Sequence, residues 1–319
     1  MSSPPYYGLR DYGIDGQIGL EESSDKYIKR LVAVFREVRR VLKNDGTLWV
    51  NIGDSYAGSW GNYSGQNRGR GTQRARTVGS LPTPAWDGRE RQRPSASRPM
   101  AGIKNKDLIG IPWMLAFALR ADGWYLRSEI IWHKPNPMPE SVKDRPTKAH
   151  EQIFLLSKSP KYYYDHDAIA EAAFQPTWKP CQIAKRKSLA SLDGHRETLG
   201  TNQEAATRNK RSVWNITTKP FKGAHFAVFP PELPETCLLA GSPDGGVVLD
   251  PFSSSGTTGF VAVKNGRSYI GIELNPEYVA VSEKRYKHEV EMSSVGLLNS
   301  RAIATKIQPV EAAIDSLFE

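Results

Sequence analysis

The stretch GVVLDPFSSSGTTGFVAVKNGRSYIGIE, residues 246–273, constrains the fold of this chain more than any other. GVVLD is a short apolar run ended by an acid, PFSSSGTT a turn of small residues, GFVAVKNG a helix closed by Gly266, and SYIGIE a second strand. Two strands joined through a helix run parallel and need cover on both faces, so the unit commits the chain to an α/β layer. Asp250 and Glu273 each end one of these strands, at the edge where open α/β sheets hold ligands. An acid ending the second strand is placed to accept both hydroxyls of a ribose, which suits a nucleoside-containing cofactor. The turn lacks the full dinucleotide glycine fingerprint and no lysine follows Gly256, so neither a nicotinamide site nor a triphosphate loop is indicated. A plain βαβ packing turn meets the same pattern.

The rest of the chain supplies more of the layer. Ile28, Leu31, Val32, Phe35, Val38 and Leu42 recur at helical spacing and Gly46 follows, after which TLWVNI reads as a buried strand. The pattern predicts a helix over 108–120, a strand over 125–132 and a further strand in HEQIFLLSKS. The longest apolar run, 108–119, is too short to span a bilayer and contains a proline, and no signal peptide pattern precedes the first motif, so a cytoplasmic protein is expected. Cys181 and Cys237 stand far apart without metal-ligand spacing, which argues against a disulfide framework and a metal site.

The 319 residues carry 43 Lys+Arg against 34 Asp+Glu, a net charge of +9 that favours a polyanionic partner. The excess is concentrated. Residues 61–100 form a Gly/Ser/Pro-rich insert in which Arg68, Arg70, Arg74, Arg76, Arg89, Arg91, Arg93 and Arg98 face only Asp87 and Glu90. A second basic segment, 172–212, includes Lys179, Lys185, Arg186, Lys187, Arg196, Arg208, Lys210 and Arg211.

The chain begins MSSPPYYG, where two prolines fix φ twice and remove two donors, leaving nearby carbonyls to accept bonds from elsewhere. SPPY, GTLWVNIGDSY, GWYLRSEIIWHKPNPMPESVKDRPTKAHEQIFLLSKS, AHFAVFPPELPETCLLAG and VVLDPFSSSGTTGFVAVKNGRSYIGIELNPEYV occur in the order used by amino-group DNA methyltransferases of the β class. The chain resembles that family over most of its length, apart from the two basic segments and the tail. The resemblance implies a Rossmann-like α/β methyltransferase sheet in circularly permuted order, with the catalytic turn first and the S-adenosyl-L-methionine unit last. It divides the chain into 1–60 and 101–171 (catalytic core), 61–100 (insert), 172–212 (target recognition), 213–292 (cofactor part of the core) and 293–319 (tail).

The resemblance also assigns roles. Ser3 and the Pro4 carbonyl would accept the amino protons of the target base, localising the nitrogen lone pair, with Pro5 stiffening the turn and Tyr6 stacking on a flipped base. Asp250, Phe252, Ser254, Gly256, Thr257, Thr258, Glu273 and Asn275 fall at cofactor positions, with His225, Phe226 and Phe229 in a block that helps close the pocket; for the phenylalanines buried packing is an equal expectation. His133 and Lys134, with Arg68, Arg70, Arg74, Arg76, Lys185, Arg186 and Lys187, are expected to touch double-stranded DNA. A homodimer and a cognate restriction endonuclease are further partners the resemblance implies.

Serine at the first motif position is typical of cytosine-N4 enzymes, so that reaction is expected ahead of adenine-N6 methylation or a DNA-binding scaffold without activity. Pro-Cys-Gln around Cys181 resembles a cytosine-C5 motif, but it lies in a basic segment upstream of the cofactor strand and is read as chance. No His and acid pair is suggested beside Ser3, so it is not read as a nucleophile. The sequence departs from the family twice. Relatives carry a strand before the catalytic turn, and its absence here leads to an expectation of impaired folding or activity. Relatives usually carry glycine where Ser254 stands, so cofactor affinity is expected to be weakened.

Overall fold

The computed structural model describes residues 1–9, 11–57, 103–173, 207–219 and 228–294. The insert arginines, Cys181, Lys185, Arg186, Lys187, His225 and Phe226 lie outside these residues, as does most of the expected recognition segment.

Helix α1 (Ser24–Val41) starts at Ser23, whose Oγ accepts the Lys26 N–H, and its heptad-like apolar stripe buries Tyr27, Ile28, Leu31, Phe35 and Val38. Strand β1 (Thr47–Ile52) follows over the residues expected from the sequence. Helix α2 (Ile111–Ala121) begins three residues later than the apolar run suggests, because Leu108 bridges to Tyr56 and Gly110, at φ +83°, turns the chain into the helix. The Asp54 carboxylate accepts the Gly110 and Ile111 N–H groups there, so a side chain from the β1 exit caps this helix.

Strands β2 (Tyr125–His133) and β3 (His150–Ser157) complete the main ladder: β3 runs antiparallel to both β1 and β2, with Trp49 opposite Leu155 and His133 opposite His150. Alternation sorts the two faces. Leu48, Val50, Ile52, Phe154 and Leu156 pack under α1 and α2, whereas Trp49, Ile153 and Leu155 face Ile130, Trp132, Trp214, Leu233 and Cys237 on the opposite side. Full burial of such side chains contributes roughly 1.5–3 kcal/mol each, which is why a sheet covered on both faces dominates this half.

The pairs β4 (Glu171–Ala172) and β5 (Thr207–Arg208) form a short antiparallel neck, and β6 (Val213–Asn215) adds in parallel to β2. Helix α3 (Glu232–Gly241) lies on the second face, then strand β7 (Val247–Asp250), helix α4 (Thr257–Lys264), strand β8 (Ser268–Gly271) and helix α5 (Pro276–Ser294) build the parallel unit expected at the outset.

The α/β layer is built from two separate sheets and a short two-stranded pair. Strand order is β1-β3-β2-β6 in one sheet, and β7-β8 stand as a separate pair. Ser2 is what lies between them. Its N–H donates to the Trp49 carbonyl (2.8 Å), its carbonyl accepts the Asn51 N–H (2.9 Å), and it runs parallel to Val50. A single residue thus pairs with the outer edge of β1, where a longer ladder would merge the two sheets.

Candidate active site

Strand directions gather the site. β1, β2 and β6 are mutually parallel and β3 opposes them, so the ends of β1, β2 and β6, the start of β3 and the chain leaving Ser2 share one rim. Asp250, at the end of β7, joins that rim by accepting a 2.7 Å bond from Ser2 Oγ. Both groups are fully buried, and Asp250 also receives the Phe252 N–H (3.1 Å). The acid expected at the cofactor therefore fastens the N-terminal turn to the parallel unit. Thr258 Oγ1 adds a 3.4 Å bond to the Met1 carbonyl.

The turn itself is held from below. Tyr27, on the first turns of α1, donates to the Pro5 carbonyl (2.7 Å), and Gly19 lies so close that a Cβ there would approach the Tyr6 carbonyl at 3.1 Å. Tyr6 lies over Gly53, where a Cβ would come within 2.6 Å of the ring. Its hydroxyl donates to Glu151 Oε2 (2.6 Å), and Asn51 Nδ2 reaches the same oxygen (2.9 Å), Tyr6 Oη (3.0 Å) and, at 3.4 Å, Ser3 Oγ. Lys134 Nζ pairs with Glu151 Oε1 and sits 4.4 Å from the Trp132 ring centroid. Burial and the Glu151 carboxylate push the Tyr6 phenol well above its ordinary value, so it remains a donor. The Pro4 carbonyl accepts no hydrogen bond from the described residues, and Ser3 Oγ receives only the long one. Pro4 is buried and Ser3 half-buried, on a turn with little freedom.

Several of these groups escaped the reading of the sequence. Asn51, a polar residue in the buried run TLWVNI, was its own signal, since a buried amide needs partners. Nothing local marked Glu151, Tyr27, Gly53 or Ser2. Lys134, expected at DNA, is engaged by Glu151, and His133 Nδ1 lies 2.7 Å from Asn215 Oδ1.

On the parallel unit, Glu273 Oε2 accepts the Ser254 N–H (2.7 Å) and Oε1 the Asn275 N–H (2.9 Å). The Leu274 backbone is a third partner of this carboxyl. A carboxylate has about four acceptor positions, so about one stays open. Burial holds this carboxyl above its ordinary range despite the backbone hydrogen bonds from Ser254, Leu274 and Asn275. A desolvated carboxylate that keeps an open acceptor position fits a ribose hydroxyl. Ser254 has φ +51°, the left-handed conformation glycine adopts without strain. Gly256, at φ +75°, is needed also for packing, because a Cβ would meet Tyr286 Oη at 2.4 Å.

Other expected cofactor residues serve the framework. Thr257 is buried and accepts from Arg285 (3.1 Å), Asn275 Oδ1 caps the Glu277 N–H (2.9 Å), Phe252 packs edge-on against Phe35, and Phe229 packs on the Trp49, Trp132 and Trp214 cluster. Burial pushes the Cys237 thiol up to about 12, which leaves it inert.

Comparison with known proteins decides the family. The model described as DNA methylase (N6_N4_Mtase) matches residues 1–284. The chain is a DNA methylase of this β-class amino-methyltransferase family. It is 49% identical over 291 residues to the type II methyltransferase M.Cfr9I of Citrobacter freundii, covering 91% of the chain and 81% of that protein. To M.SmaI of Serratia marcescens it is 48% identical over 288 residues, covering 89% and 82%. The solved structure of PvuII DNA methyltransferase (cytosine-N4-specific) covers 100% of the chain and 83% of its own, at TM-score 0.55 and 19% identity, and so matches in fold. The methylase takes S-adenosylmethionine as its methyl donor. No helix among its described residues is long and apolar enough to cross a membrane.

Proposed function

We infer that this methylase modifies the exocyclic N4 amine of cytosine in duplex DNA, acting on a base taken out of the stack. The observation that carries this reading is the turn at residues 3–6. It opens with a neutral hydroxyl and an unengaged Pro4 carbonyl, held rigid by Pro5, Tyr27 and Ser2. An exocyclic amine is a poor nucleophile because its lone pair is delocalised into the ring. Ser3 Oγ and the Pro4 carbonyl accept hydrogen bonds from its two N–H groups and localise that pair, and Tyr6, fixed through Glu151, stacks on the ring. Neither acceptor takes a full proton, so the proton leaves after methylation, to water.

S-adenosylmethionine, when bound, supplies the electrophilic methyl. Glu273 holds a ribose hydroxyl, and Asp250 and Phe252 keep the donor turn aligned with the base turn through Ser2. Arg68, Arg70, Arg74 and Arg76 clamp phosphates, and the segment 172–212 with Lys185, Arg186 and Lys187 reads base edges. The type II relatives support a partner restriction endonuclease in the same system.

The test is transfer of labelled methyl to unmethylated genomic DNA followed by mass spectrometry of the nucleosides. N4-methylcytosine is expected, lost by about a hundredfold in Ser3→Ala because one positioning acceptor is gone. N6-methyladenine in its place overturns the base assignment.

A further inference from the structure

Met138 is 88% exposed, more than any other large apolar side chain among the described residues. It stands between Pro137 and Pro139 in the connection from β2 to β3, residues 134–149. A proline on each side fixes two φ angles around it, so the thioether projects from a stiff tip.

The flanks of that tip are tied down. Asn136 Nδ2 donates to the Thr218 carbonyl (3.1 Å) and Asn136 Oδ1 accepts the Thr218 N–H (3.0 Å). Beyond the tip, Arg145 donates to Glu140 Oε2 (2.6 Å) and lies 3.8 Å from the Tyr56 ring centroid, and Lys106 pairs with Asp144 (2.8 Å). The connection also leaves β2 and enters β3 at the rim that carries the catalytic turn. Its first residue, Lys134, and the first turnward residue of β3, Glu151, are the pair that holds Tyr6. Within it Lys134 pairs with Glu151, Arg145 with Glu140 and Asp144 with Lys106, so Lys143 and Lys148 are the cations placed to meet phosphates near the tip.

A base that leaves the stack for the residue 3–6 turn leaves a gap between its neighbours, and apolar side chains, methionine among them, are suited to enter such steps. We propose that Met138 is the wedge that enters the duplex and holds open the place of the flipped base. The proposal rests on the base-flipping reading above. Met138 is then a positioning residue: it acts on the opening of the duplex and leaves the chemistry at the amine alone.

The experiment is single-turnover methyl transfer by the full chain and by Met138→Ala, on a duplex carrying a site mapped from modified genomic DNA. A second duplex places the same target base opposite an abasic position, where flipping is nearly free. The Ala variant is expected to lose about tenfold or more on the matched duplex and to come within about twofold of wild type on the abasic one. Met138→Leu is expected to retain activity on both. Full activity of Met138→Ala on the matched duplex overturns the wedge, and so does an equal loss on both duplexes. If the wild-type chain methylates neither, the base-flipping reading itself fails, an outcome distinct from either.

Discussion

Pro4 and Pro5 stiffen a turn whose flanks are bonded to Trp49, Asn51 and Tyr27, on elements packed into the two large cores, and to Asp250 on β7. The donor turn between β7 and α4 rests on a two-stranded sheet with a small core around Leu238, Val248, Val261 and Ala262. Val247 and Ile270 there are 61% and 46% exposed, and Ser254 is held in a left-handed conformation. The base side is thus preorganised by burial, and the donor side depends on a few polar bonds and on what binds it. A site that must align two substrates gains from one fixed wall, and on the proposed reading that wall lies under the base.

Severing the join is the largest way to break the contrast. Asp250→Ala leaves Ser2 Oγ and the Phe252 N–H unpaired in a buried setting, and is expected to lower stability by about 2–4 kcal/mol. Thermal unfolding checks this, and binding of S-adenosylmethionine by calorimetry is expected to weaken with it.

Weakening the fixed wall alone comes next. Glu151→Gln and Tyr6→Phe each release the Tyr6 ring from its anchor, and each is expected to lower kcat about tenfold, roughly 1.4 kcal/mol in the barrier, with donor affinity unchanged. The double variant is expected to be little worse than either single one, because both remove one bond. Additive losses in that cycle would dissolve the proposed link.

The donor side is expected to respond to pH. Burial holds the Glu273 carboxyl above its ordinary range, so the folded chain binds this proton more tightly than the unfolded one. Its contribution to stability is greatest below the unfolded value and declines as pH rises through the window up to the raised folded value. Glu273→Gln removes that decline, measured by denaturant unfolding across the window. Donor affinity moves the other way, falling as pH drops through the folded value, because the charged carboxylate is the better acceptor of a hydroxyl.

The smallest effect sharpens the comparison. Ser254→Gly relieves φ +51° and is expected to add about 0.5–1 kcal/mol of stability, net of the greater freedom glycine gives the unfolded chain. Tighter donor binding is expected with it; an unchanged affinity would show that the strain lies apart from the donor.

The sequence by itself determined the parallel unit, the β1 strand to the residue and the family to which the order of the blocks points. Each is carried by local information: the near-continuous apolar run in TLWVNI, prolines at 4 and 5, small residues between Asp250 and Thr258. It located Ser254 as a departure because a missing glycine is visible without a structure. Tertiary structure alone decided that Asp250 binds Ser2 across 248 positions, that Glu151 anchors Tyr6 across 145, and that Lys134 is engaged there. It also moved the start of α2 to Ile111, where Gly110 and the distant Asp54 set the first turn. Local propensity acts over a few residues, whereas a buried polar group takes whatever partner the packed sheet brings within 3 Å, and no spacing in the sequence encodes that choice.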